Sequence, residues 1–108
     1  MTGRKGQSMK IEYSAEFSDY MKRKRKAYAV VAVAEAAHSD IEITEIFVRV
    51  CDEEHADYLK KKKRYREVAD GDRRVLLPPY RLDYEETLRF FIRKQFIFKT
   101  LAVEGVRL

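Results

Sequence analysis

Cys51 and His55 stand four residues apart, the spacing that sets two side chains on one face of a helix. A thiol and an imidazole so placed can ligate a metal or, with a third orienting group, form a nucleophile. Neither constellation is complete. Only His38 remains as another strong donor, short of the four ligands of a structural zinc site. Asp52, Glu53 and Glu54 crowd Cys51 with negative charge, which raises a thiol pKa and blunts its reactivity. Cys51 therefore reads as a buried structural cysteine, and no catalytic residue, metal or cofactor is expected.

Other chemistries are thinly represented. Glycines occur at positions 3, 6, 71 and 105 alone, which excludes a glycine-rich phosphate loop. The paired carboxylates sit at expected helix starts, where capping accounts for them. A small basic ribonuclease working through Lys, Arg and Tyr is the enzymatic alternative, and it offers no sharp motif.

The strongest pattern is a near-repeat. "DYMKRKRKAY" fills positions 19–28 and "DYLKKKKRY" fills 57–65. Each runs Asp, Tyr, a long apolar residue, a block of cations and a second Tyr. Lys22, Arg23, Lys24, Arg25 and Lys26 form the first block; Lys60, Lys61, Lys62, Lys63 and Arg64 form the second, with Arg66 close behind. Two readings compete. In one, the acids open a helix and the cations close it, which complements the helix dipole and leaves a solvated face. In the other, the cations neutralise nucleic-acid phosphates while Tyr20, Tyr28, Tyr58 and Tyr65 stack on bases. No base-reading motif accompanies them. "EIFVRV" (45–50) lacks the glycines of a ferredoxin-like RNA binder, and a helix-turn-helix over "VAEAAHSDIEITEIFVR" would present Glu42 and Glu45 to phosphate.

Charge supports an anionic partner only mildly. Lys and Arg number 23 against 18 Asp and Glu, for a net +5 over 108 residues. Aromatics at 12% mark a folding chain. One cysteine precludes an intrachain disulfide and suits a reducing, cytoplasmic setting. No apolar run reaches the length of a membrane span, so no membrane partner is expected.

The elements that must position these residues follow from periodicity and caps. Residues 1–8 read as a disordered basic lead-in and 9–108 as a single α+β domain. "MKIEY" (9–13) alternates as a strand. Ser14 caps a helix over about 15–26, and 27–34 is a buried strand. Residues 38–40 form a turn. Residues 41–50 read as a strand on β-branched density, against a capping-box helix. Asp52 caps a helix reaching about Val68, "DGD" (70–72) is a turn, and 73–80 is an edge strand stopped by Pro78 and Pro79. Asp83 caps a third helix over 84–95, and 96–103 is a last strand broken by Gly105.

That order is the ferredoxin-like βαββαβ arrangement with a C-terminal αβ extension: an antiparallel sheet with helices mainly on one face. Its two helices would lie side by side, the basic end of each against the acidic start of the other. The expected core is Ile11, Phe17, Met21, Val31, Val33, Phe47, Val48, Leu59, Leu76, Leu88, Phe91, Ile92 and Phe98. The leading functional expectation is a non-catalytic module that binds RNA or DNA phosphates through basic helix ends. The alternative is a protein-interaction or self-assembly domain, homodimeric for instance, built on "LRFFIRKQFIF" (88–98).

Overall fold

A computed structural model describes residues 9–35 and 44–107. The lead-in, the 38–40 turn and residues 41–43 of the third expected element lie outside that range. The element order is β1 (Lys10–Tyr13), α1 (Ala15–Lys24), β2 (Tyr28–Glu35), β3 (Thr44–Cys51), α2 (Glu53–Lys62), β4 (Arg66–Asp70), β5 (Arg73–Leu77), β6 (Asp83–Gln95) and β7 (Phe98–Arg107). Two of the three expected caps form; Asp83 opens a strand instead. Ser14 Oγ accepts from the Phe17 amide at 3.1 Å, and Asp52 Oδ1 accepts from the His55 amide at 2.9 Å.

The fold is not ferredoxin-like. Strands outnumber helices and form two mixed sheets, ordered β1-β6-β7 and β3-β2-β5-β4. A βαββαβ sheet needs β1 beside β2's neighbours; instead β1 pairs parallel with β6, from Lys10 opposite Thr87 to Tyr13 opposite Phe90. β2 pairs antiparallel with β3 and parallel with β5, and β4 and β5 form a hairpin. β7 runs alongside β3, while β1 approaches β4 and β5, so the sheets close around one core.

The outer edge of β1 lacks a backbone partner, and side chains of the β4–β5 hairpin satisfy it. Asp70 Oδ2 accepts from the Ile11 amide at 2.9 Å and Arg73 Nε donates to the Ile11 carbonyl at 2.7 Å; in the other direction the Tyr13 hydroxyl of β1 donates to the Arg74 backbone carbonyl of β5 at 2.9 Å. Orphaned backbone groups inside a fold are costly, so these three bonds hold the sheets in register.

Four expected elements are corrected. Residues 84–95 are strand β6, not a helix. Leu88 and Phe90 turn inward at strand period and are fully buried, and the chain pairs with β7 from Arg89–Glu104 to Gln95–Phe98. Their spacing also fits a helix, and pairing with a segment later in the chain decides between the two. The second helix stops at Lys62, and Arg66–Asp70, expected at its end, is β4. β5 is an interior strand that ends at Leu77, before Pro78 and Pro79. Gly105 does not break β7. With φ 101° it lies opposite the register shift between Tyr84 and Arg89, and a Cβ there would collide with the Thr87 carbonyl oxygen.

The core joins both sheets and α1: Ile11, Phe17, Met21, Ala29, Val31, Val48, Val75, Leu77, Leu88 and Phe90. Tyr13, Phe17 and Phe90 form its aromatic centre, with centroids 5.0–5.7 Å apart. A second cluster of Tyr28, Val30, Cys51, Ala56 and Leu76 seats α2 on the outer face of the four-stranded sheet. Val33, Phe47, Leu59, Phe91 and Ile92, expected in the core, are half-buried. Phe98 is 67% exposed, because it sits at the far end of the β6–β7 hairpin.

Candidate functional site

The near-repeat is, first, one way of ending a helix used twice. After α1 the chain turns at Arg25, in the left-handed conformation (φ 56°, ψ 47°). The Arg25 amide donates to the Lys22 carbonyl and the Lys26 amide to that of Met21, satisfying the last turn as a glycine-type cap does. After α2 the amides of Lys63 and Tyr65 both donate to the Leu59 carbonyl, and Arg64 takes φ 61°. Met21 and Leu59, equivalent in the repeat, anchor the two ends on the apolar side.

The two basic runs do not converge. The Ala27 amide donates to the Cys51 carbonyl, which brings the end of α1 to the start of α2. Lys26 there helps the His55 amide hold the Asp52 carboxyl below its ordinary range. That is half of the expected exchange between helix ends. The other half does not form: Glu16 pairs with Lys94 at 3.2 Å, and Lys60 pairs with Glu67 at 2.9 Å. The second run begins in the last turn of α2, at Lys60, about 10 Å from the helix start at 1.5 Å per residue.

The α1 run divides by helical phase between two clefts. On one side Lys22 and Lys26 join Arg73 and Arg74 of β5 around a cleft of about 470 Å³, walled by Tyr13, Ser18, Met21 and Ala27 and closed by Gly71 and Asp72. Four basic residues thus line one hollow with one carboxylate, Asp72, but the Arg74 guanidinium is engaged by Tyr28, Glu53 and Glu67, which leaves three cations to the hollow. Arg73 also holds the Ile11 carbonyl and lies 3.9 Å from Asp70 and 4.0 Å from Asp72, so part of its charge is committed to the fold. On the other side Arg23 and Lys24 join Lys99 in a cleft of about 600 Å³ against β6 and β7, with Glu16, Asp19, Tyr20, Ile92, Thr100 and Leu101. Lys24 Nζ lies 5.9 Å from the Tyr20 ring centroid.

The four tyrosines of the repeat are not equivalent. Tyr28 is buried, and its hydroxyl donates to Glu53 Oε1 at 2.9 Å and accepts from Arg74 Nη1 at 3.2 Å. Burial, then the Glu53 bond, raises its pKa. Tyr28 belongs to a lattice with Glu53, Arg74, Glu67 and Lys60 that fastens α2 to the sheet, and it has no face left for a base. Tyr20 and Tyr65 are half-buried. Tyr58 is exposed and stacks on His55 at 5.7 Å. Arg66 lies over the Tyr84 ring at 5.8 Å, away from the second run.

Cys51 is buried at the end of β3, and burial with the adjacent Asp52 pushes its thiol up to about 11. Among the described residues no three His, Cys, Asp or Glu side chains converge to hold a metal. None of the described helices is long and apolar enough to cross a membrane.

Sequence reading missed Arg73 as a partner of the α1 run. Folding alone brings it there, though "GDRR" after a turn was visible. It also placed Phe91 and Phe98 in the core. Phe90 is buried and Phe91 half-buried, but Phe96, Ile97 and Phe98 are 102%, 89% and 67% exposed at the hairpin tip. The chain matches no protein-family model, no curated protein and no solved structure, so any functional reading rests on its own residues.

Proposed function

We propose that the protein is a non-catalytic module that binds nucleic acid by its phosphates, centred on the C-terminal end of α1. One observation supports this above the rest: Lys22, Lys26 and Arg73 converge on one cleft from two elements far apart in sequence. Helix-dipole matching accounts for cations in the last turn of α1, but not for an arginine of β5 at the same hollow. A concave site with several cations and one carboxylate is suited to a phosphodiester chain. The lone, buried Cys51 fits the reducing cytoplasm, where such a partner is abundant.

The α2 run is secondary in this reading. Lys60 is engaged by Glu67, and the remaining cations lie along an exposed helix end. Binding of a labelled oligonucleotide should weaken about tenfold or more at low salt when Lys22, Lys24 and Lys26 become Gln, on the scale of three lost phosphate contacts. Lys61→Gln, Lys62→Gln and Lys63→Gln together should cause a smaller loss. Equal losses from both triple variants would mean diffuse attraction to net charge and would overturn the cleft.

A further inference from the structure

The β6–β7 hairpin ends in a two-residue turn, Phe96-Ile97, flanked by the pair Gln95–Phe98. Phe96 adopts φ 56°, a region that disfavours bulky side chains, and its ring is wholly in solvent. An apolar turn residue held in a disfavoured conformation, with no burial in return, is the kind of outlier that marks a functional tip. Around it the charge is of one sign: Arg93, Lys94 and Lys99 lie within three residues, and residues 93–99 contain no acid. Lys99 also lines the cleft that holds Arg23, Lys24 and Tyr20. Lys99, three residues from Phe96, therefore ties the exposed tip to a basic groove.

We propose that this tip is the base-stacking element of a single-stranded nucleic-acid site. Phe96 and Phe98 present their faces to unpaired bases, while Arg23, Lys24 and Lys99 neutralise the phosphates of the same strand. The inference rests on the phosphate-binding reading and narrows it to unpaired nucleic acid, because a cationic groove beside exposed aromatics is what such strands require, whereas stacked duplex bases offer no free face. Glu16 does not oppose it, since Lys94 engages that carboxylate; Asp19 is the one remaining acid of the groove. A second copy of the chain fits less well, because a two-fold contact through the tip would set like charges together. A lipid surface fits less well too, because headgroups form a flat layer and these cations line a concave groove.

The test uses the full chain, a labelled oligothymidylate of about 12 nucleotides and a duplex of equal length. The substitutions are Phe96→Asn with Phe98→Thr; asparagine tolerates positive φ and threonine suits a strand, so the hairpin is retained. The parent should bind the single strand at least about tenfold tighter than the duplex, and the double variant should lose about tenfold or more at every salt concentration, with the salt slope unchanged. A Phe98→Trp protein, whose single tryptophan reports only on the tip, should be quenched by the oligonucleotide. Equal binding of strand and duplex, with no effect of the double variant, overturns the stacking tip and leaves the phosphate reading standing. Loss of a parental dimer, or of sedimentation with phosphatidylserine vesicles, in a variant that still binds the strand as the parent does also overturns it. No binding of either nucleic acid by the parent removes both readings together.

Discussion

Gly71 and Phe96 occupy the same position in two different hairpins. Each is the first residue of a two-residue turn, between Asp70 and Arg73 in one case and Gln95 and Phe98 in the other, and each has positive φ, 66° and 56°. The second turn residues, Asp72 and Ile97, do not, which is the pattern of a type II′ turn. Glycine is the residue that geometry favours. The chain uses it where the turn closes the basic cleft and uses phenylalanine where the turn projects into solvent.

Phe96→Gly should therefore stabilise the protein. Relief of the left-handed conformation is worth roughly 1 kcal/mol, and the exposed ring forfeits no burial. Urea unfolding should show a higher midpoint with an unchanged slope; a lower midpoint would mean that the ring packs against the protein.

Arg25→Gly should separate stability from binding. Arg25 caps α1 at φ 56°, where glycine is preferred, so the substitution should add about 0.5–1 kcal/mol. It also removes a cation from the crest between the two clefts. Calorimetry and oligonucleotide titration should move in opposite directions.

Gly105→Ala should be severe. Positive φ and collision with the Thr87 carbonyl combine at the β6–β7 register shift. A loss of roughly 2 kcal/mol or more is expected, as for other strained backbone sites. A near-neutral result in thermal unfolding would show that the register shift is readily rearranged.

Cys51 should react slowly with iodoacetamide in the native state at neutral pH and rapidly once unfolded. Its folded pKa is about 11 against an ordinary 9.0. The unfolded thiol ionises first as pH rises, so the contribution of this group to stability is complete below about 9 and declines between about 9 and 11. Cys51→Ala should flatten that decline and leave nucleic-acid binding intact. Lost binding in a folded Cys51→Ala protein would reinstate the thiol as a site.

Local signals were legible and long-range ones were not. Ser14 and Asp52 announced both helices because a cap is read within three residues. Alternating apolar residues announced β1, a Val- and Ala-rich run announced β2, and β-branched density announced β3. The 84–95 helix was an error of period: Leu88, Phe91 and Ile92 suit a helix as well as Leu88, Phe90 and Ile92 suit a strand, and only pairing with β7 and β1 decides. The end of α2 was hidden because four lysines are good helix formers that mark no stop, although the Asp70-Gly71 turn called for a strand before it as well as after. The cleft was half visible for the same reason. Lys22 and Lys26 declare themselves in sequence, while Arg73 joins them only through sheet closure.

The salt dependence of binding tests the central claim most directly. Single-strand affinity of the parent, measured between about 50 and 200 mM salt, should fall with a log–log slope near about −2, roughly 0.7 for each of the cleft cations Lys22, Lys26 and Arg73. Lys22→Gln with Lys26→Gln should flatten that slope by about 1.4 on the same scale, without lowering the unfolding midpoint appreciably. A slope near zero, a slope that the double substitution leaves unchanged, or no binding at the lowest salt would contradict a phosphate-binding cleft at the end of α1.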